Sequence, residues 1–226
     1  LIHKTFFNEK TATYATGSQI DMTYPLTVGV AEGEVAERVK QALYKGIEEY
    51  NGHLGAGLVG VTIVTDWATD NQQTELMYSM LKKREHPGYL YMIDNGATTT
   101  WEYWYGGRSR IHNCFNGVGS WFIQAAGGIL PDAAAPGFKH VILRPQLPQG
   151  VEWVKTSKQT PYGKVRSEWR VEGDKMIFDV EIPANATATF YAPAAAAECE
   201  VDGQSVKLTD NTLKLNSGAY QIVINK

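Results

Sequence analysis

The spacing of apolar residues changes partway along this chain, and that change constrains the fold more than any other feature. Apolar residues recur four positions apart within 34–50, which predicts one buried face of a helix: Val35, Val39, Leu43 and Ile47. Later, apolar and polar residues alternate in 165–171 and again in 176–182, which predicts two strands joined by a turn. The sequence therefore predicts helices followed by an antiparallel β-sandwich, in two domains that meet near Pro136.

Four further segments are predicted as helices. Residues 71–85 place Leu76, Met77, Met80 and Leu81 on one face, with Asn71 as the predicted N-cap. Residues 116–129 predict a more apolar helix that ends at two glycines and turns four side chains inward: Val118, Trp121, Phe122 and Ala125. The helices predicted at 17–30 and 57–69 are weaker, because proline or glycine interrupts them.

The long connection at residues 86–114 is rich in aromatic residues and glycine. Connections of that length between compact helices are usually functional, so we expect a ligand pocket here at one end of the helices. Within this connection, Glu102 stands between Trp101 and Trp104. Its carboxylate is either a surface charge beside two structural tryptophans or an acid–base group in a site. The local pattern alone slightly favours the surface charge.

Composition excludes several classes of partner. The 226 residues carry a formal net charge of −3, so no basic field favours nucleic acid. No apolar run approaches the length of a membrane span. Cys114 and Cys199 match no metal or redox spacing and are predicted to be buried free thiols. The chain begins with Leu1 and lacks a signal-peptide pattern, so we expect it to be part of a longer protein whose compartment the sequence leaves open.

Several long motifs follow one another along almost the whole chain. They are "FFNEKTATYATGSQ", "GHLGAGLVG", "YMIDNGATTTWEYW", "HNCFNGVGSWF", "PDAAAPGFKHVILRPQ", "TPYGKVRSEW" and "IPANATATFYAP". In these motifs the chain resembles the C-terminal part of bacterial α-L-rhamnosidases, family seventy-eight of the glycoside hydrolases. The resemblance implies an α+β, multi-domain architecture. Residues 1–136 would be the C-terminal portion of an (α/α)6 catalytic barrel, and residues 137–226 a C-terminal β-sandwich.

The resemblance also implies an activity and its residues. The implied reaction is inverting hydrolysis of terminal α-L-rhamnose from a glycan or glycoside, without a metal or organic cofactor. Glu102 is the implied general base and His112 the implied sugar contact. Of the two tryptophans that flank Glu102, at least one is expected to contact the sugar, and Trp104 is the better candidate than Trp101.

The implied general acid lies outside this chain. We therefore expect the chain by itself to be inactive. We also expect it to associate with the remainder of its parent chain or with itself, because the loss of neighbouring helices would expose the apolar face of 34–50.

The sequence departs from the family pattern at two positions. Ile111 precedes His112 where the family usually has asparagine, and Tyr89 stands where many members have tryptophan. Other polar residues have a structural explanation. Asp66 is expected to cap a helix or to form an ion pair, and Asp94 to form a turn. His53 is expected to lie in a loop, and residues 108–110 to form a solvated loop. The remaining tryptophans are predicted to be in the core: Trp121, Trp153 and Trp169.

Two other functions remain open at this point. One is a different exo-acting (α/α)6 glycosidase that uses the same carboxylate. The other is a non-catalytic carbohydrate-binding or structural fragment, which the expected absence of the acid favours.

Overall fold

The computed structural model describes residues 1–225, in which helices come first and strands follow, as the change in apolar spacing predicts. The chain forms two compact units, Leu1–Gly119 and Ser120–Lys226. This division comes before the first strand of the second unit, Ile129–Pro131. The domain boundary expected near Pro136 comes after that strand and stays a prediction.

The first unit is mainly helical. Its helices are α1 (Ile2–Phe6), α2 (Gln19–Thr27), α3 (Gly33–Glu49), α4 (Leu58–Asp70), α5 (Thr74–Leu81) and α6 (Tyr89–Asp94). Two short strands, β1 (Phe7–Asn8) and β2 (Thr13–Tyr14), pair near its start. Helix α2 packs against both α3 and α4. The segments that connect these helices therefore meet around the start of α2.

Helix α3 confirms the four-residue spacing of apolar residues, but its apolar face is not exposed as expected. Its buried residues are Val39, Leu43 and Ile47. These side chains pack inside the first unit, so the expectation that this face is exposed is wrong. At the start of α2, Ser18 accepts a hydrogen bond from the Asp21 N–H, and the Asp21 carboxylate accepts one from the Ser18 N–H. This reciprocal cap fixes where α2 begins.

Two helices, α5 and α6, differ from the sequence expectations. Asn71 does not begin α5; it ends α4, where its side-chain amide donates to the Trp67 carbonyl at 2.8 Å. Helix α5 begins at Thr74. Helix α6 lies within the long connection at 86–114, where the sequence predicts no helix. Its six residues are too few to show helical periodicity.

The helix predicted at 116–129 is present in a modified form. Helix α7 (Val118–Trp121) continues into a π-helix, Phe122–Ala126. Trp121 and Ala125 are buried as predicted, but Phe122 is 49% exposed. Hydrogen bonds from i to i+5 widen a π-turn, so Phe122 leaves the face that the α-helical spacing assigns to it. Gly128 ends the segment with φ +73°, and a Cβ there would lie 2.2 Å from Pro145 N.

The second unit is a sandwich of two sheets. One sheet has the order β10-β9-β12-β7-β6-β5 and the other the order β11-β8-β4-β3. The strands are β3 (Ile129–Pro131), β4 (His140–Leu143), β5 (Trp153–Thr160), β6 (Gly163–Glu172), β7 (Lys175–Ile182), β8 (Thr187–Tyr191), β9 (Glu198–Val201), β10 (Gln204–Lys207), β11 (Thr212–Leu215) and β12 (Gly218–Asn225). All pairs are antiparallel except β4 with β8.

The core of the sandwich lies between its two sheets. Phe178 of β7 and Phe190 of β8 meet edge to face with ring centroids 5.1 Å apart. Trp169 is buried, and its indole N–H donates to the Ala126 carbonyl at 2.7 Å. Trp153 is not in the core, contrary to expectation, because it stands on an edge strand with its side chain toward the surface.

Two further features are the state of the cysteines and the length and apolar character of the helices. Cys114 and Cys199 are buried free thiols, as predicted. Within residues 1–225, no helix has both the length and the apolar character needed to cross a membrane.

Candidate active site

A cavity of about 800 Å³ opens in the first unit, lined by three stretches of chain. The first stretch is the start of α2, with Ser18 and Gln19. The second is the connection from α3 to α4, with Tyr50 and Leu54. The third is the long connection that the sequence singles out, with Glu102, Trp104 and His112. The cavity therefore brings together residues that are far apart in the sequence.

The long connection is folded back on itself by backbone hydrogen bonds. The Glu102 N–H donates to the Ser109 carbonyl and the His112 N–H donates to the Thr100 carbonyl, each at 2.9 Å. The hydroxyl of Thr99 donates to the Arg110 carbonyl at 2.7 Å. The threonines before Glu102 thus tie the two sides of the loop together and place Glu102 and His112 on one cavity wall.

The glycine pair after the aromatic residues allows the loop to close. Gly106 has φ +78°, and a Cβ at this position would lie 2.9 Å from the Trp101 ring. At Gly107 a Cβ would lie 2.4 Å from the Tyr105 ring. Gly106 leaves room for the buried Trp101 ring, so packing explains the first glycine of "WEYWYGG".

The Glu102 carboxylate is held by two neighbours from the opposite side of the loop. Its Oε2 accepts a hydrogen bond from the Ser109 N–H at 3.2 Å, and its Oε1 lies 3.6 Å from Arg108 Nη1. The Glu102 side chain is 23% exposed, whereas Arg108 is largely in solvent. The carboxylate is therefore oriented but still open to water and to a ligand.

Glu102 is the only aspartate or glutamate among the described residues that line this cavity. The described residues also contain no group of three or more His, Cys, Asp or Glu that could hold a metal ion.

The two tryptophans beside Glu102 have different positions. Trp104 lines the cavity and stacks on Phe115, with centroids 3.9 Å apart and an interplanar angle of 21°. Trp101 is only 3% exposed and lies outside the set of described cavity residues. Of the pair, Trp104 has the placement that contact with a ligand requires, whereas Trp101 packs beneath the glycine pair.

Tyr89 supports Trp104 from behind. Its ring meets that of Trp104 edge to face at 5.1 Å, and its hydroxyl donates to the Phe115 carbonyl at 2.7 Å. Burial raises the pKa of the Tyr89 phenol. The residue that departs from the family's usual tryptophan is therefore a protonated hydrogen-bond donor that fixes the aromatic wall.

Three other polar residues singled out by the sequence are not among the described residues that line the cavity: His53, Asp66 and Asp94. His53 is buried, with Nδ1 2.8 Å from the Pro87 carbonyl. Asp94 pairs with Arg84 at 2.7 Å, and Asp66 lies within α4. Ile111 is exposed beside His112.

Sequence reasoning missed several residues of the cavity wall. His86, Tyr103 and Tyr105 come from the same long connection but had no signal beyond their aromatic character. Gln19 ties the start of α2 to the connection from α3 to α4: its amide donates to the His53 carbonyl and accepts from the Gly55 N–H, both at 2.9 Å. Its position inside the motif at residues 6–19 was the signal that could have identified it.

Comparison with protein families gives two matches. Residues 1–126 match the bacterial α-L-rhamnosidase 6 hairpin glycosidase domain, and residues 128–207 match the bacterial α-L-rhamnosidase C-terminal domain.

Individual relatives agree with these matches. An α-L-rhamnosidase of Formosa agariphila is 27% identical over 224 residues, which covers 91% of this chain and 24% of the relative. An α-L-rhamnosidase of Streptomyces avermitilis is 30% identical over 159 residues, 66% of this chain and 15% of the relative. The chain thus spans a quarter or less of the length of these curated relatives.

Solved structures share the fold. The Streptomyces avermitilis α-L-rhamnosidase complexed with L-rhamnose matches with a TM-score of 0.88 at 23% identity, over 99% of this chain and 23% of the other. The α-L-rhamnosidase from Dictyoglumus thermophilum also matches with a TM-score of 0.88, at 22% identity, over 99% of this chain and 27% of the other. At these identities the likeness establishes the fold: helical barrel part followed by β-sandwich.

Proposed function

This chain belongs to the bacterial α-L-rhamnosidase family, and from that premise we propose that it carries the general-base side of a rhamnosidase active site. The proposed reaction is the inverting hydrolysis of a terminal α-L-rhamnose from a glycan or glycoside. One observation carries the proposal: Glu102, Trp104 and His112 line a single cavity, in which Glu102 is the only carboxylate among the described residues.

Inversion needs two carboxyl groups on opposite faces of the sugar, roughly 6.5–9.5 Å apart. Glu102 takes a proton from water as the water oxygen forms a bond to C1 of the rhamnose. The bond from C1 to the leaving oxygen breaks at the same time, and that oxygen receives a proton from the acid. In this proposal the acid comes from a part of the enzyme outside these residues.

The surrounding residues position water and sugar. The Ser109 N–H on Oε2 keeps the Glu102 carboxylate in one orientation, so that a lone pair remains available for a proton. Trp104 offers an aromatic surface to the C–H face of the sugar, and Phe115 and Tyr89 prevent its ring from turning. His112 supplies a ring nitrogen to a sugar hydroxyl.

A direct test uses an enzyme that contains this chain and a panel of nitrophenyl glycosides. We expect hydrolysis of the α-L-rhamnoside, and proton NMR should show the β-anomer of rhamnose as the first product. If the α-anomer formed first, the base role of Glu102 would be wrong. Turnover of another glycoside in place of the rhamnoside would favour a different exo-acting glycosidase.

A second candidate function is carbohydrate binding without catalysis by this chain alone. The single carboxylate among the described cavity residues favours it, because one carboxyl cannot serve as base and acid at once. Calorimetric titration of the 226-residue chain with L-rhamnose, together with an assay for turnover, separates binding from hydrolysis.

A further inference from the structure

The outer face of the six-stranded sheet combines an aromatic ring with a row of charges. Residues alternate between core and surface along β5 and β6. The register places Trp153 of β5 opposite Arg170 of β6, and Glu168 of β6 opposite Asp179 of β7. The indole therefore stands at the start of an edge strand, next to ionised side chains on β6, with which β5 pairs, and near those on β7, the next strand.

Trp153 leaves 62% of its surface exposed, which is unusual for a residue that is highly buried on average. Beside it lies a hollow of about 390 Å³. Small-molecule sites commonly enclose about 300–1,000 Å³, so this hollow lies at the lower end of that range. Its size suits one sugar ring.

The charged groups of the hollow hold one another in place. Arg170 donates to Glu172 Oε1 through Nε and to Asp179 Oδ2 through Nη1, both at 2.6 Å. The other oxygen of Asp179 accepts from the Gln221 amide at 3.0 Å. Each carboxylate has more lone pairs than these bonds use, so fixed acceptors remain for the hydroxyl groups of a ligand.

We propose that this hollow binds a neutral pyranose ring, which stacks on Trp153 and donates hydroxyl hydrogen bonds to Asp179 and Glu172. A pyranose has an apolar face of C–H groups and a rim of hydroxyls, so it needs a flat aromatic surface beside polar groups. Hydrogen bonds to ionised acceptors are roughly twice as strong as those between neutral groups. The site lies wholly in the second unit and its function does not depend on that of the Glu102 cavity.

The charge of the hollow selects among possible ligands. Its described lining residues include four carboxylates and two cations: Glu152, Glu168, Glu172, Asp179, Lys155 and Arg170. The excess of negative charge disfavours an acidic sugar or a phosphate. The centres of protein interfaces are depleted in Lys, Glu and Asp, so this composition also disfavours a protein partner.

The test is a titration of the 226-residue chain, labelled with nitrogen-15, with methyl α-L-rhamnopyranoside and methyl β-D-glucopyranoside. We expect the indole N–H of Trp153 to shift and saturate at millimolar concentrations of at least one glycoside. The Trp153→Ala variant lacks this indole signal, and its absence assigns the signal to Trp153. The other backbone amide signals of the variant should keep their positions, which shows that the fold is intact. The indole of Trp104 reports the first cavity separately, so each site succeeds or fails by itself.

Two further variants sharpen the result. Glu172→Gln keeps the shape of the side chain but removes its charge, and we expect about a fivefold weaker affinity at Trp153. Tyr162→Ala removes another exposed aromatic ring of the same hairpin, outside the hollow, and should leave the affinity unchanged.

Three outcomes overturn the proposal. The first is no shift at Trp153 up to the solubility limit of both glycosides. The second is a larger response to D-glucuronate than to the neutral sugars. The third is a shift of Trp153 with protein concentration alone, which would show that a second copy of the chain covers the surface.

Discussion

Glu102 is the residue on which the proposed chemistry depends, and an isosteric change tests it. In an enzyme that contains this chain, Glu102→Gln keeps the packing but cannot accept a proton from water. General-base catalysis is commonly worth about 10²–10⁴-fold, so we expect kcat to fall by that range while the affinity for rhamnose is largely kept. Azide, which needs no deprotonation, should restore part of the activity.

The matched control for this change is Asp94→Asn. It makes the same carboxylate-to-amide substitution at a residue paired with the exposed Arg84, outside the cavity. Activity should stay near that of the unmodified enzyme. A Glu102→Gln enzyme that also kept nearly full activity would make Glu102 a structural residue.

Tyr89 allows a prediction about stability and pH. Tyr89→Phe leaves the Phe115 carbonyl without its donor, so we expect a loss of about 1–2 kcal/mol in the free energy of unfolding at neutral pH. Because burial raises the phenol pKa above its ordinary value of 10.0, the folded state favours the protonated form. That contribution is complete below pH 10.0 and is lost as the pH rises through the folded-state pKa.

The difference in stability between the unmodified chain and Tyr89→Phe should therefore narrow in alkaline solution. Urea unfolding at neutral and strongly alkaline pH measures it. Tyr105→Phe, a change at an exposed ring, is the control and should alter stability little at neutral pH. A constant difference across the pH range would contradict the assigned role of the buried hydroxyl.

At the scale of elements, the loop that carries Glu102 depends on Gly106. Gly106→Ala combines a left-handed backbone with a Cβ 2.9 Å from the buried Trp101 ring. Gly96→Ala has a similar φ of +84° but no atom within 4 Å of its Cβ, so it isolates the backbone strain. We expect Gly96→Ala to cost roughly 1–2 kcal/mol and Gly106→Ala about 1–3 kcal/mol more.

Equilibrium urea unfolding followed by far-ultraviolet circular dichroism measures both glycine variants, since that signal reports mainly the helices of the first unit. Equal losses for the two would show that Trp101 moves aside without cost, and the close approach to the ring would then not explain the glycine.

Elements were predictable from sequence where a long, regular pattern defined them. Helix α3 and the hairpin of β6 and β7 follow from apolar spacing alone. Phe122 was misplaced because the π-helix changes the number of residues per turn, and no α-helical pattern records that change. Trp153 was misplaced because a tryptophan indicates burial only on average, whereas position on an edge strand is a property of the sheet.

At the scale of the molecule, the site was predictable only where one segment forms it. Glu102, Trp104 and His112 lie in a single connection whose motifs resemble those of a known family. Gln19 and Tyr50 reach the cavity only because α2 packs against α3 and α4. Such tertiary neighbours have no local signature, so a sequence identifies them only through the motif in which they occur.

The last prediction concerns the 226-residue chain by itself: it should not hydrolyse an aryl α-L-rhamnoside. Hydrolysis needs an acid as well as a base, and the described part of the cavity offers Glu102 alone. Self-association also stays a prediction, but its basis has changed. The face of α3 is buried, whereas Leu58 and Val59 are exposed at the start of α4, where Leu58 lines the cavity. Light scattering combined with the activity assay tests both, and a monomer that turns over the rhamnoside would contradict both expectations.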